Sequence, residues 1–108
     1  MKWILLLLAV IGVVIISGCT QQASQDVSEQ AKTECIALCK ASAADLSNGP
    51  CLSDNNPGWK TSDWACDVAH SPRQAIDNQP ENQCAAFREG KAHHFVEVDP
   101  GCGFIKAV

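Results

Sequence analysis

Cys-Ile-Ala-Leu-Cys, at residues 35–39, is the stretch that most constrains the fold. It lies within a run of apolar and cysteine residues spaced three and four apart, which predicts one amphipathic helix over residues 26–47. Asp26 and Glu29 resemble a capping box at its start, and Asn48-Gly49-Pro50 is a typical helix end. Because the two cysteines lie one turn apart on the buried face, two disulfides are predicted to attach this helix to the rest of the domain.

Cysteine content predicts the source of stability. From residue 19 onward, only 14 of 90 residues are Leu, Ile, Val or Phe, a fraction low enough to indicate disorder if nothing else held the chain. Three disulfides, each contributing about 2–4 kcal/mol, would compensate for the thin core, although spacing alone does not choose among the possible pairings. The six cysteines predicted to form them are Cys35, Cys39, Cys51, Cys66, Cys84 and Cys102.

The sequence patterns in the rest of the domain predict a short second helix and a small antiparallel sheet. Together with the first helix, these elements predict a small, disulfide-rich α+β fold. Alternation over residues 64–70 predicts a strand with one face toward the core. Residues 80–89 favour the short helix, with Cys84 directed inward. A second strand is predicted over 93–99, and Asp99-Pro100-Gly101 favours a type II turn into a partner strand at 104–108.

The N-terminus carries an export pattern: Lys2, an apolar run from Trp3 to Ile16, then Ser-Gly-Cys ending at Cys19. This pattern resembles a prokaryotic lipoprotein signal, in which the cysteine becomes the acylated first residue. The resemblance implies a signal peptide at 1–18, a lipidated N-terminus and tether at 19–25, and the disulfide-bonded domain at 26–108. An uncleaved membrane helix is the alternative, and both interpretations predict an extracytoplasmic domain anchored to the cell membrane.

The charge balance and the tryptophans indicate what kind of partner the domain binds. From residue 19 onward, seven Lys or Arg stand against twelve Asp or Glu, which argues against a nucleic-acid partner. No cofactor is indicated. The prediction is a non-catalytic binding or envelope-associated domain with an unknown extracytoplasmic ligand or protein. Trp59 and Trp64 are the candidate binding residues, since an exposed tryptophan suits stacking on a sugar or a peptide; the alternative is that they plug a small core.

A cysteine acyl-transfer enzyme is the second hypothesis. His93-His94-Phe95-Val96-Glu97 follows Cys84 and resembles the histidine strand of transglutaminase-like enzymes. That resemblance implies Cys84 as nucleophile, His93 as base and Asp99 as the third, acidic group. A nucleophile must stay reduced, so this hypothesis leaves an odd number of cysteines for pairing.

A metal-binding lipoprotein is the third hypothesis. His93, Glu97 and Asp99 are residue types that bind divalent metals, and on a strand they would project from one side. Adjacent His93 and His94 are predicted to point to opposite faces, which prevents them from chelating one ion together. A solvated acidic face explains the same residues without a metal.

Overall fold

The computed structural model describes residues 23–108, with side chains from residue 26 onward. The predicted signal peptide and Cys19 therefore lie outside the described residues. Among residues 23–108, no helix is both long and apolar enough to cross a membrane. The helices and strands are α1 (Ala23–Ala41), β1 (Trp64–Val68), α2 (Ala85–Arg88), β2 (His94–Val98) and β3 (Phe104–Ala107), with 3-10 turns at Ala75–Asn78 and Pro80–Asn82.

Helix α1 occurs where it was predicted but is displaced toward the N-terminus. It already includes Ala23, so Asp26 lies in its first turn and is not the cap. It ends at Ala41, because polar side chains beyond that point bind their own backbone. Ser42 Oγ accepts a hydrogen bond from Ala44 N at 3.2 Å, and Asp45 Oδ1 accepts one from Ser47 N at 3.0 Å.

The predicted small α+β class is confirmed, with one main helix, a short second helix and a three-stranded sheet in the order β1-β2-β3. Strands β2 and β3 pair antiparallel, as predicted. The prediction of a wholly antiparallel sheet was wrong, because β1 and β2 are parallel, with Cys66 opposite Val96 and Asp67 opposite Glu97. Parallel neighbours require a connection that returns the chain to the starting end of the sheet. Residues 69–93, called the crossover below, make this connection.

The turn after β2 also differs from its prediction. The positive φ lies at Cys102, at 70°, and not at Gly101, so the type II turn was wrong. Asp99 fixes the turn through both its backbone and its side chain: its carbonyl accepts Cys102 N at 2.7 Å, and its Oδ1 accepts Gly103 N at 2.8 Å.

The three predicted disulfides are present. Cys35 bonds to Cys66 and Cys39 to Cys102, which attach α1 to β1 and to the β2–β3 turn. Cys51 bonds to Cys84 and attaches the crossover just before α2. Two disulfides therefore hold the helix, as its cysteine spacing predicted.

Both faces of the sheet are covered. Helix α1 packs on the face formed by Trp64, Cys66, Val68, Val96 and Val98, which is the main core. The crossover covers the opposite face, where Ala65 and Phe95 pack with Cys84 and Ala92. All five residues of β1 are consequently buried, and the prediction that only one face of this strand meets the core was wrong.

Candidate functional site

A cleft of about 220 Å³ lies between the crossover and the sheet face opposite α1. Its walls combine acidic, basic and aromatic side chains. We call it the carboxylate cleft, after the two acidic side chains that the strands place in it. Its lining residues are Asp67, Arg73, Gln83, Cys84, Phe87, Arg88, Phe95 and Glu97.

The two carboxylates of the cleft have different partners. Asp67 and Glu97 are opposite each other on β1 and β2, and both are buried, with exposures of 9% and 6%. Glu97 Oε2 accepts a hydrogen bond from Arg73 Nη1 at 3.0 Å, and Lys106 Nζ lies 4.0 Å from Glu97 Oε1. Asp67 Oδ1 is buried with no hydrogen-bond partner among residues 23–108. The two cations near this pair thus approach Glu97, and Asp67 Oδ1 is left without a partner.

Burial, together with the charge of Glu97, raises the pKa of Asp67 to about 8. Desolvation disfavours the charged form of a carboxyl, and a neighbouring carboxylate disfavours it further. Asp67 is therefore mostly neutral at pH 7 and ionises in mildly alkaline solution.

Asp77 positions the part of the crossover that carries Arg73. Its buried carboxylate accepts hydrogen bonds from His70 N at 3.0 Å, from Gln74 N at 2.9 Å and from the His70 ring, Nδ1 to Oδ1, at 2.9 Å. Burial opposes its ionisation, but the hydrogen bonds from Gln74 and His70 outweigh burial and lower the pKa of Asp77. Arg73 Nη2 in turn donates to the Asp77 carbonyl at 3.2 Å, which aims the guanidinium at Glu97.

Gly49 allows this arrangement. Its φ is +73°, and a Cβ at this position would lie 2.7 Å from Asp77 Oδ1 and 2.9 Å from the Val68 carbonyl oxygen. Only glycine fits a site with both a left-handed backbone and such close neighbours. The glycine predicted to end the helix instead makes room for the carboxylate that holds the crossover.

The apolar wall of the cleft comes from two phenylalanines. The rings of Phe87 and Phe95 meet edge to face with centroids 4.8 Å apart, and Phe87 is 42% exposed. Helix α2, which carries Phe87, is short and begins at a cap from a distant loop. Asp54 accepts hydrogen bonds from Ala85 N at 2.6 Å and from Ala86 N at 3.3 Å.

The three predicted catalytic residues do not contact one another, and each has a different partner. Cys84 Sγ is bonded to Cys51 Sγ, so it carries no thiol in this structure. His93 is exposed and lies with Nδ1 2.5 Å from Asp63 Oδ1. Asp99 binds the backbone of its own turn. A transglutaminase-like mechanism would need the disulfide to be reduced and these groups to approach one another.

The predicted metal ligands are also separated. Glu97 faces Arg73 inside the carboxylate cleft, whereas His93 lies against Asp63 on the surface. His94 Nε2 also approaches Asp63, at 3.8 Å from Oδ2. His93 precedes β2, and the two histidines form no metal-binding group with Asp63 among the described residues. The hydrogen bond from His93 lowers the pKa of Asp63.

Another acidic side chain lies near two sulfurs. Cys51, Asp54 and Cys84 form the one group of three possible metal-binding residues found in the described part of the chain. The two sulfurs are bonded to each other, and Asp54 caps α2. This group is therefore fully used in holding the crossover.

The two tryptophans border a second depression, of about 350 Å³, together with Asp54. Trp64 is buried and stacks on the ring of His94, with centroids 4.8 Å apart. Trp59 is half-buried, and its Nε1 donates to the Trp64 carbonyl at 2.9 Å. Both rings pack on the main core, as a core plug would. Their role in binding stays a prediction.

Comparisons with protein-family models, with curated proteins and with solved structures found no match to the chain. The interpretation of the carboxylate cleft thus depends on its own geometry. Sequence reasoning missed Asp67, Arg73 and Asp77. One signal was available for Asp67: it is a charged residue within Trp-Ala-Cys-Asp-Val, which is otherwise apolar.

Proposed function

We propose that this chain is a lipoprotein anchored through lipid on Cys19 to the outer side of a cell membrane, and that its disulfide-bonded domain is a non-catalytic binding module whose ligand occupies the carboxylate cleft. The anchor is supported by the sequence of residues 1–19. The three disulfides are consistent with an extracytoplasmic location, because such bonds persist in oxidising compartments.

Lipidation is tested with the full chain expressed in a bacterium that is fed an alkyne-tagged fatty acid. We expect tag on the wild-type chain and on the matched control Ser24→Ala, and no tag on Cys19→Ala. Mass analysis is expected to show a mature chain that begins at Cys19. A tagged Cys19→Ala variant, or an untagged wild type that still carries residues 1–18, would contradict the lipid anchor; the second result would favour the uncleaved helix.

Binding in the cleft is supported chiefly by the unpartnered Asp67 Oδ1. A buried polar atom without a partner destabilises a protein by about 1–3 kcal/mol, and native structures contain few of them. A ligand that bonds to Asp67 would remove this penalty. The cleft, at about 220 Å³, is smaller than sites for drug-sized molecules, so the ligand is expected to be small.

The site is tested with three four-carbon probes that differ only in their polar group: n-butylamine, butyrate and n-butanol. Saturation-transfer NMR with the full chain in lipid nanodiscs measures whether each probe binds, and empty nanodiscs give the background. We expect at least one probe to receive magnetisation from the wild type and to lose this signal in Phe87→Ala, which removes one wall of the cleft. If none of the three binds, the cleft is not a ligand site.

A further inference from the structure

We propose that the carboxylate cleft selects a primary ammonium group on a small apolar body, with Asp67 as its anionic partner. The inference rests on the proposed binding function and specifies the chemistry of its ligand. Three features of the described residues carry it: an incomplete set of counter-charges, two aromatic rings beside the acids, and a carboxyl group that can release a proton.

The first feature is the balance of charge around Asp67. Glu97 faces it from β2, Arg73 and Asp77 approach from the crossover, and Arg88 approaches from α2. Arg73 is bound to Glu97, to the Asp77 carbonyl and to Asn78, while Asp77 is satisfied by His70 and Gln74. Lys106 also approaches Glu97 and not Asp67. A cation from a ligand is therefore the missing partner of an ionised Asp67.

The second feature is the aromatic wall. Phe87 and Phe95 line the same cleft as the two carboxylates. Lys106 Nζ already lies 5.8 Å from the centroid of the Phe95 ring, so the contribution of these rings to a ligand is to bury its alkyl part without loss of hydrogen bonds. An alkylammonium ion has both parts: a charged head for Asp67 and a short chain for the rings.

The third feature is the protonation of Asp67. Without a ligand, the Asp67 carboxyl is mostly neutral at pH 7, because burial and the charge of Glu97 raise its pKa to about 8. When an alkylammonium ion binds, the Asp67 carboxyl releases one proton to solvent and the amine keeps its own. No covalent bond between protein and ligand is formed, and the incoming positive charge replaces the proton. Affinity must then rise with pH as Asp67 becomes easier to ionise.

A carboxylate ligand makes the opposite prediction. Neutral Asp67 could donate a hydrogen bond to it, and Arg88 could supply positive charge from α2. Arg88 Nη1, however, already donates to the Pro80 carbonyl at 2.9 Å and the residue is exposed. Ionisation of Asp67 would repel a carboxylate, so affinity for such a ligand would fall as pH rises.

The deciding experiment measures the affinity of the same three probes at pH 6 and pH 8 by saturation-transfer titration of the full chain in nanodiscs. For a carboxyl with a pKa of about 8, the ionised fraction rises about 50-fold over this interval, so butylamine affinity is expected to rise by about the same factor. Butanol is expected to show no such change. Butyrate is expected to bind more weakly than butylamine at pH 8.

Two variants locate the effect. Asp67→Asn keeps the size of the side chain but cannot ionise, and it is expected to abolish the pH dependence of butylamine binding. Glu29→Gln removes an exposed carboxylate from α1, on the other side of the sheet, and is expected to leave the dependence unchanged. Because the wild-type profile is measured independently, the proposal remains testable if Asp67→Asn fails to fold.

Each alternative result has a distinct meaning. Preferential binding of butyrate or butanol would overturn the ammonium proposal and keep the cleft as a ligand site. Butylamine binding that is equal at pH 6 and pH 8 would also overturn it, since Asp67 would not be the anionic partner. Absence of binding for all three probes would overturn both the proposed site and this inference.

Discussion

The two faces of the sheet differ in what holds them together. On the α1 face, Cys66, Val68, Val96 and Val98 are at most 1% exposed and pack with α1. On the crossover face, the strands present Asp67 and Glu97, and the covering layer consists of 3-10 turns and the four-residue helix α2. One face is a continuous apolar core, whereas the other contains charge, a cleft and an unpartnered oxygen.

This difference separates the face that supplies most of the stability from the face that carries the proposed binding site. Burial of apolar surface stabilises a folded chain by about 25 cal/mol per Å². The side chains that the sheet buries against α1 are apolar or cysteine, so they contribute in this way. Buried carboxylates oppose folding unless they are paired. The crossover face tolerates them because the α1 face and the three disulfides supply stability to the domain.

The largest effect is expected from removing matched disulfides on the two faces. Cys35–Cys66 and Cys51–Cys84 have sequence separations of 31 and 33, so loop closure contributes about 4 kcal/mol in each case. Cys35 and Cys66 are 0% exposed, and Cys35→Ala/Cys66→Ala also leaves a cavity in the main core. We expect this variant to lose about 1–2 kcal/mol more than Cys51→Ala/Cys84→Ala.

Urea unfolding of the full chain in nanodiscs, followed by tryptophan fluorescence, measures both losses. Equal losses would mean that loop closure alone accounts for the disulfides and that the two faces do not differ in packing. A larger loss for Cys51→Ala/Cys84→Ala would assign the greater share of stability to the crossover.

An intermediate effect is expected from pH, through Asp67. Its pKa is about 8 in the folded chain and about 4 when unfolded. A raised folded pKa stabilises the protein fully below about pH 4, and this contribution is lost as pH rises toward 8. Between pH 6 and pH 8, the wild type is expected to lose about 2 kcal/mol of unfolding free energy relative to Asp67→Asn.

Unfolding curves at the two pH values test this expectation, and Glu29→Gln serves as the control because it changes an exposed carboxylate on the α1 side. The unfolding free energy of the control should change between pH 6 and pH 8 by the same amount as that of the wild type. If Asp67→Asn follows it as well, then Asp67 does not have a raised pKa in the folded chain.

The smallest effect is expected at the cap of α2. Asp54→Ala removes the acceptor of Ala85 N and Ala86 N and is expected to lower the unfolding free energy by about 1 kcal/mol. Glu89→Ala, at the exposed residue that ends the same helix and makes no contact with Asp54 in this cap, should change it by less than about 0.5 kcal/mol. Hydrogen exchange at Ala85 is expected to accelerate, while exchange at Cys39 in α1 stays slow. Equal acceleration at both amides would mean that α2 does not open independently.

Much of the fold could be predicted from the sequence because it depends on local patterns. The three- and four-residue spacing placed Cys35 and Cys39 on the buried face of α1, where they are 0% and 2% exposed. Alternation located β1 and β2 within a few residues of their bounds. The end of α1 was missed because Ser42 and Asp45 bind nearby backbone groups, which apolar spacing does not register.

The cleft could not be predicted because it depends on distant pairings. Asp67 fell on the face of β1 that was expected to lie away from the core, and only the parallel pairing with β2 brings it opposite Glu97. Glu97 was considered only as a metal ligand, since its partner Arg73 lies 24 residues earlier in a polar segment. No local pattern connects these residues.

Parallel pairing of β1 and β2 also places most of the wall of the proposed ligand site in a single segment of the chain. The crossover supplies five residues of the cleft wall and none of the buried residues of the main core. A sequence library randomised at Gln83, Phe87 and Arg88, with Cys84 retained, would vary ligand preference while α1 and its two disulfides stay as they are. The domain could thus be reprogrammed by laboratory selection through one contiguous stretch of chain.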